Sequence, residues 1–296
     1  MNIRISIEAL SGTDPDILWS GALYGLKQLQ EFDHKLYFLI EDLSKQQQQL
    51  LENEKIASIQ TLPDIVDLQI ITENDDLKAL NNNGSEIETA SDWIALSNKI
   101  CFPTRKASQE RKTAETDISI SLNLDGTGES NISTGLDFFD HMLEQIAKHG
   151  LIDLDLTCDG DLEVDEHHTI EDVAITLGET INKALGKKIG IQRYSFALPM
   201  DETLATVALD FSGRPFLKFD GTFEREMVGD FPTEMVEHFF YSLAINLKAT
   251  LHISVDGKND HHQIEGCFKG FARCLRAAVS RNERNLNVLP STKDLL

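Results

Sequence analysis

Six of the nine histidines in this 296-residue chain fall into two copies of one pattern. His167, His168 and Glu171 spell HHxxE, and so do His261, His262 and Glu265. One further histidine precedes each copy, His141 in FDHML and His238 in VEHFF. On a helix, residues three and four apart share a face, so either histidine of a pair can lie near its glutamate. Neighbouring helical residues diverge by about 100 degrees, which makes adjacent histidines poor partners on one ion. Each histidine of a pair is therefore expected to serve a different metal. The set provides for two sites, each of roughly three imidazoles and one carboxylate. Mixed ligation of this kind suits Mn, Fe or Zn, and the hard oxygen donor keeps Mn in the group. Asp165, Glu166 and Asp172 are expected to accept hydrogen bonds from the ligand rings. A lone histidine is ordinarily a surface or hydrogen-bonded core residue. Two HHxxE copies at matching places in a repeat are hard to assign to chance.

The elements that must position these residues repeat as well. TDISISLNLDG alternates as a half-buried strand, and NIST is a short second strand. GLDFFDHMLEQIAKHG puts Leu136, Phe139, Leu143 and Ile146 on one helical stripe. LIDLDLT alternates again, and the helix from His167 turns Ile170, Val173, Ala174, Leu177 and Ile181 inward. The second half repeats the order: two strands around Ser-Gly-Arg-Pro, the helix PTEMVEHFFYSLAINL with Pro232 in its first turn, the strand TLHISV, and a closing helix from His261. The pattern predicts an α+β fold made of a tandem duplicated ββαβα repeat, with helices packed on one face of the sheets.

Ahead of it, residues 1–80 alternate apolar runs with helical stretches in a βαβ rhythm, the mark of a small α/β domain. NNNGSEIETA (81–90) reads as a polar loop, and SDWIALSNKI (91–100) as a short helix capped by Ser91 or Asp92. The expected division is 1–95 for the first domain, 96–110 for a linker, and 111–296 for the second, with repeats of about 111–200 and 201–296.

The formal net charge of −22 argues against nucleic acid and anionic membrane surfaces as partners, since both demand a basic face. Cys101, Cys158, Cys267 and Cys274 show no CxxC spacing and read as free thiols. The first residues lack the pattern of a signal peptide, and no window approaches 18 apolar residues. A cytoplasmic protein is expected.

The segment Arg111–Leu296 resembles imidazoleglycerol-phosphate dehydratase along its whole length. The resemblance is carried in order by RKTAETDI, GLDFFDHMLEQIAKHG, DGDLEVDEHHTIEDVAITLGE, ALGKKIGIQRYS, PMDETLA, DFSGRP, TEMVEHFFYSL, GKNDHHQIEGCFKGFARCLR and LPSTKDLL. Asp294 stands where the family's ending has glycine. The resemblance implies dehydration of D-erythro-imidazoleglycerol phosphate to imidazole acetol phosphate and water, a hydro-lyase reaction of L-histidine biosynthesis. It implies two Mn ions per active site that bind the imidazole ring as imidazolate. Their ligands would be His141, His167, His168, Glu171, His238, His261, His262 and Glu265. Substrate contacts are implied for Glu115, Arg193, Arg214, Ser291 and Lys293, and an assembly of 24 copies with metal sites completed between subunits. Glu115, Glu171 and His168 are the expected catalytic residues, with Glu115 the proton shuttle and Glu171 chiefly a ligand. Without the resemblance Glu115 would read as a surface carboxylate at a strand edge. Arginine grips phosphate in a bidentate way, which suits Arg193 and Arg214 as clamps, and the SGRP turn gives Arg214 a fixed base.

The stretch SDWIALSNKICFPTRKASQERKTAETDI is similar to the join in bifunctional relatives that carry a haloacid-dehalogenase-like phosphatase in front. Laid against DxDGT, the segment ISIEALSGT keeps Gly12 and Thr13 but has Ala9 and Ser11 in place of both aspartates. A degenerate, inactive phosphatase-like domain is the expectation. Two other readings of the second domain remain. A dinuclear phosphohydrolase also pairs metals with arginine, but such sites are carboxylate-rich. A non-catalytic metal scaffold leaves Glu115, the arginines and the PSTK tail unexplained.

Overall fold

The computed structural model describes residues 1–11, 17–59, 61, 63, 65–281, 286–293 and 295–296, with backbone only for 195–198. Gly12, Thr13 and Asp294 lie outside the described residues. The chain divides into two units, Met1–Pro103 and Thr104–Leu296.

The first unit runs β1 (Asn2–Ile5), α1 (Ile7–Ser11), α2 (Ala22–Glu31), β2 (Lys35–Tyr37), α3 (Lys45–Asn53), β3 (Leu68–Glu73), β4 (Asp76–Asn81), β5 (Glu86–Ala90) and α4 (Trp93–Cys101). One sheet has the order β2-β1-β3-β4-β5. Its first three strands are parallel, as the βαβ rhythm requires, and β4 and β5 close it as an antiparallel hairpin. Its core gathers Ile3, Ile5, Leu26, Leu36, Ile70 and Leu96 around Trp93, whose indole donates to the Ala9 carbonyl at 2.7 Å. The glutamine-rich helix α3 starts on a capping box between Ser44 and Gln47.

Three expectations need correcting here. The polar stretch 81–90 is a turn plus the strand β5, with the Asn81 side chain accepting the N–H groups of Asn83 and Ser85. The first strand ends at Ile5, so Ala9 lies buried in α1 and not at a strand end, where the DxDGT alignment would put it. The span 96–110 is no linker. Helix α4, capped by Asp92 on the Ala95 N–H at 2.8 Å, occupies its start, and the strand β6 (Lys106–Lys112) its end.

The second unit continues with β7 (Thr116–Asn123), β8 (Ser130–Ser133), α5 (Asp137–Gly150), β9 (Asp153–Gly160) and α6 (His167–Leu185). Its second half is β10 (Tyr194–Met200), β11 (Thr203–Asp210), β12 (Phe216–Asp220), the small pair β13 (Met227–Val228) and β14 (Phe231–Pro232), α7 (Met235–Leu247), β15 (Thr250–Asp256) and α8 (Asp260–Val279). The two four-stranded sheets have matching orders, β6-β7-β9-β8 and β10-β11-β15-β12. In each, the last strand is parallel to its neighbour and the others are antiparallel. The duplicated α+β architecture is therefore present, with one more edge strand per half than the pattern shows. The repeat boundary accordingly falls before Tyr194 rather than at residue 200. Pro232 belongs to β14 and not to the first turn of α7.

Helix α6 covers the first sheet and α8 the second, while α5 packs on α8 and α7 on α6. Each half thus lends a helix to the other. The α6–α7 approach is close enough to demand glycine. A Cβ on Gly178 would stand 2.8 Å from the Leu243 carbonyl oxygen and 3.0 Å from the Leu247 nitrogen. The stripes read from the sequence on α5 and α6 are all buried, and they join one core with Phe239, Phe240, Phe268 and Phe271. Among the described residues, no helix is long and apolar enough to cross a membrane.

Candidate metal centre and active site

The exchange of helices brings the two HHxxE copies to histidines of the opposite half. On α6, His167 Nε2 lies 3.4 Å from Glu171 Oε2, one helical turn on, and His238 Nε2 of α7 lies 3.4 Å from Glu171 Oε1. On α8, His261 Nε2 lies 3.4 Å from Glu265 Oε2, and His141 Nε2 of α5 lies 3.9 Å from Glu265 Oε1. In both sets one ligand atom per residue can be chosen so that all lie within 4.8 Å of one another. The two sets are not equally open. Glu171 is 36% exposed, whereas Glu265 is 9% exposed and also receives Lys269 Nζ at 2.7 Å.

The adjacent histidines diverge as expected, their ring planes turned by 75° for His167 and His168 and by 90° for His261 and His262. The second histidine of each pair faces other carboxylates. His168 Nδ1 contacts Asp161 at 3.1 Å, and its Nε2 lies 3.6 Å from Glu115. His262 Nδ1 contacts Glu202 at 2.9 Å. The hydrogen bond to Asp161 raises the proton affinity of His168, and the bond to Glu202 does the same for His262. In turn His262, with backbone N–H groups, holds the Glu202 carboxyl down at about 2.

These partners differ from the expected ones. Asp165 accepts the His167 backbone N–H, and Asp172 is engaged by Arg111 and Thr116. Neither is hydrogen-bonded to a ligand ring. Asp161 and Glu202 do that instead. A signal for Glu202 was present in the repeat. Glu115-Thr116 and Glu202-Thr203 are the same dipeptide at the start of the central strands β7 and β11.

The donor sets fit a first-row divalent metal. Bonds of about 2.0–2.2 Å to imidazole nitrogen and carboxylate oxygen set neighbouring ligand atoms about 3–3.5 Å apart. His238 Nε2 is buried and has no hydrogen-bond partner, although Glu171 Oε1 lies within ion-pair range. A buried ring nitrogen without a partner is costly, and a metal bond satisfies it. Within one chain each set holds two imidazoles and one carboxylate, one imidazole fewer than expected.

The residues expected to hold phosphate sit elsewhere. Arg193, which takes a positive φ of 71°, grips Asp210 with Nε at 2.5 Å and Nη2 at 3.1 Å and gives Nη1 to the Pro290 carbonyl. Arg214 is exposed in its turn, where its N–H and carbonyl are tied to Ser212 and Thr250. Ser291 accepts the Lys293 N–H in the tail, and the carboxyl-terminal Leu296 lies against Gly213. The tail, Arg193 and the SGRP turn thus form one neighbourhood. The Arg193 N–H bonds to the Ala278 carbonyl, 17 residues along α8 from His261. At 1.5 Å per residue that separation is about 26 Å. Helix α6 runs about 27 Å from His167 to Leu185 toward the same end. Within one chain the residues expected to hold phosphate therefore stand far from both His-His-Glu sets.

A family model described as imidazoleglycerol-phosphate dehydratase matches residues 134–275. The crystal structure of imidazoleglycerol-phosphate dehydratase from Staphylococcus aureus is 37% identical, with a TM-score of 0.55, covering 60% of this chain and 99% of that one. The enzyme from Pyrococcus furiosus, solved in complex with (S)-C348, is 34% identical with a TM-score of 0.55, covering 64% of this chain and all of that one. This chain belongs to the imidazoleglycerol-phosphate dehydratase family. Histidine biosynthesis bifunctional proteins HisB are also similar. That of Stenotrophomonas maltophilia K279a is 51% identical over 222 residues, 73% of this chain and 61% of the relative. That of Campylobacter jejuni 81-176 is 55% identical over 194 residues, 66% of this chain and 55% of the relative. The chain spans less than two thirds of the length of these bifunctional relatives. The part of the chain that matches the dehydratase family model includes six of the eight expected metal residues on α6 and α8 and both helix-borne partners, His141 and His238. Burial pushes the Cys158 thiol up to about 12, which disfavours its thiolate near neutral pH.

Proposed function

We propose that the second unit dehydrates D-erythro-imidazoleglycerol phosphate to imidazole acetol phosphate and water, with two Mn ions per active site. The observation that carries this reading is the pair of His-His-Glu sets built across the exchanged helices, in a chain of the dehydratase family. His141, His261 and Glu265 would hold one ion, and His167, His238 and Glu171 the other. Bound there, the ions would supply Lewis acidity toward a nitrogenous substrate ring.

The chain's own residues do the rest. Loss of water needs a base for a carbon-bound proton and an acid for the departing hydroxyl. Glu115 is half-exposed beside His168 Nε2 and holds or passes that proton at its carboxylate. Asp161 and Glu202 fix His168 and His262 through Nδ1, which turns each Nε2 outward as a ligand atom. Those outward rings would supply the third imidazole of a set on a neighbouring copy. Arg193, Arg214, Ser291 and Lys293 of another copy would hold the phosphate, since the length of α8 keeps them from the metal sets of their own chain. The working enzyme is thus a homo-oligomer, for which 24 copies is the family expectation, in a cytoplasmic setting.

A dinuclear phosphohydrolase would cleave simple phosphate esters. The purified chain, supplied with Mn, is expected to consume imidazoleglycerol phosphate and release no inorganic phosphate from it or from a generic ester. Phosphate release without dehydration would overturn the lyase assignment.

We propose further that the first unit is a catalytically silent α/β domain of phosphatase descent. The residues that follow β1, Ser6, Ile7 and Glu8, offer no aspartate nucleophile. Mg-dependent phosphatase activity abolished by substitutions in this unit would contradict it.

A further inference from the structure

Glu115 and Glu202 hold equivalent places in the two halves, yet their carboxylates face different atoms. Glu202 accepts from His262 Nδ1 at 2.9 Å, behind the ring. Glu115 lies on the other side of its histidine, 3.6 Å from His168 Nε2. Each glutamate precedes a buried threonine, Thr116 or Thr203. The helix residue that could meet that threonine differs. Asp172 follows Glu171 on α6, whereas Gly266 follows Glu265 on α8.

The side chain of Asp172 is 10% exposed, and its two oxygens hold one strand each. Arg111 of β6 donates Nε to Oδ1 at 2.9 Å, and Thr116 of β7 donates its hydroxyl to Oδ2 at 2.7 Å. These two residues flank the turn that carries Glu115. The turn is tied to the same point. Thr113 Oγ1 accepts the N–H groups of Glu115 at 3.1 Å and Thr116 at 2.9 Å, and it lies 3.1 Å from Thr116 Oγ1. The Thr116 proton goes to the carboxylate, so the Thr113 hydroxyl is the donor in that last contact. The Asp161 N–H closes on the Glu115 carbonyl at 3.0 Å. Asp172 follows His168 by four residues and shares its face of α6. The tie of the hairpin and the approach of Glu115 to His168 thus lie one helical turn apart. The second half docks its strand without such a tie. A Cβ on Gly266 would stand 3.3 Å from Ala205 Cβ and 3.6 Å from Thr203 Cγ2. Leu198 pairs with Ala205 where Arg111 pairs with Ile118. Thr203 Oγ1 turns to its own neighbour, Glu202, at 3.3 Å.

We propose that Asp172 is the positioning residue for Glu115: with Arg111 and Thr116 it pins the β6–β7 hairpin to α6 and sets the reach of the Glu115 carboxylate beside His168. The inference rests on the reading of Glu115 as the proton shuttle. A half-exposed side chain at a hairpin turn moves with that turn, and a displacement of about 1 Å at a reacting group costs on the order of a hundredfold in rate. The apolar docking of the second half shows that the repeat folds without a charged tie at this place. A buried ion pair is in any case weak evidence of a stabilising role. The tie occurs in the half whose glutamate faces the outward ring nitrogen.

The test is a double-mutant cycle on the full-length, Mn-loaded protein, reading kcat, KM for imidazoleglycerol phosphate and bound Mn by elemental analysis. Thr116→Val removes the hydroxyl at nearly constant volume, and Thr116→Ser keeps it. Thr116→Val is expected to lower kcat by about tenfold or more, with KM within about threefold and bound Mn unchanged. Thr116→Ser is expected to stay within about threefold of wild type in kcat. In the Glu115→Gln background, itself strongly impaired, Thr116→Val should cost less than about twofold more. Equal kcat in the valine and serine variants, a loss that follows lost Mn, or a full additional loss in the Glu115→Gln background would overturn the proposal. A Glu115→Gln enzyme with wild-type kcat would sink the shuttle reading itself, and the proposal with it. Should Thr116→Val not fold, Arg111→Gln replaces it in the same cycle, since Arg111 is one-third exposed and holds the other oxygen of Asp172.

Discussion

The ring nitrogen of His238 is buried without a hydrogen bond, 3.4 Å from a glutamate, Glu171, that also faces His167. Such an atom stays unsatisfied at a cost of about 1–3 kcal/mol unless something binds it. His238→Ala is therefore expected to keep the fold and to lower bound Mn from two ions per chain to one, as read by elemental analysis after gel filtration. Two ions retained would remove His238 from the ligand set. The carboxylates behind the outward histidines make a second prediction. Glu202→Gln leaves His262 without its charged anchor, and metal affinity in a chelator competition should fall about tenfold. An unchanged affinity would mean that Glu202 does not orient the ring. The histidines and glutamates of both sets were legible because their types and spacing repeat. Asp161 was not, since a single aspartate in a loop has no pattern until the chain folds, whereas Lys269, one helical turn after Glu265, follows the helical spacing. The partner of Asp161, His168, comes within 3.1 Å only in three dimensions.

Helices α5 to α8 and the central strands of both sheets were legible because their buried stripes follow the helical or strand period strictly. The edge strands β6 and β10 were not. The inward positions of β6 are Ala107, Gln109 and Arg111, and the last two reach Glu179 and Asp172 on α6. A strand that docks through polar pairs shows no apolar alternation, which is why it read as linker. The exchange of helices between halves was also hidden, because it depends on how the amphipathic faces pair. Gly178 makes that pairing testable. Gly178→Ala should force α6 and α7 apart and cost about 1–3 kcal/mol, seen as a lower melting temperature. An unshifted melt would show that the contact relaxes freely. The hold of Arg105 on Asp125 has a pH signature. Burial pushes the Asp125 carboxyl up, but the hydrogen bonds and charge of Arg105 prevail and hold it below its ordinary value of 3.8. A depressed folded value gives stability that is present above the unfolded value and lost as pH falls through the folded one. The melting difference between wild type and Asp125→Asn should be full near neutral pH and close below about pH 4. A gap that persists in acid would assign the effect to packing.

At the scale of the whole molecule, the decisive feature is the separation of about 26 Å along α8 between the metal sets and the Arg193 neighbourhood. A substrate the size of a phosphorylated imidazole glycol cannot span it, so the proposed phosphate roles of Arg193 and Arg214 call for an active site that combines residues of different copies. Two inactive chains, His261→Ala and Arg214→Ala, should regain partial turnover when unfolded together and refolded as a mixture. No recovery from well-assembled mixtures would place the whole site in one chain. The central claim, that these His-His-Glu sets hold the metal of a dehydratase, is tested most directly by one measurement. That measurement is turnover of imidazoleglycerol phosphate by metal-stripped protein before and after Mn is added. The account predicts no turnover without metal, recovery with Mn, and no recovery in the Glu171→Gln variant. Full turnover by the stripped protein, or recovery undiminished in Glu171→Gln, would contradict it.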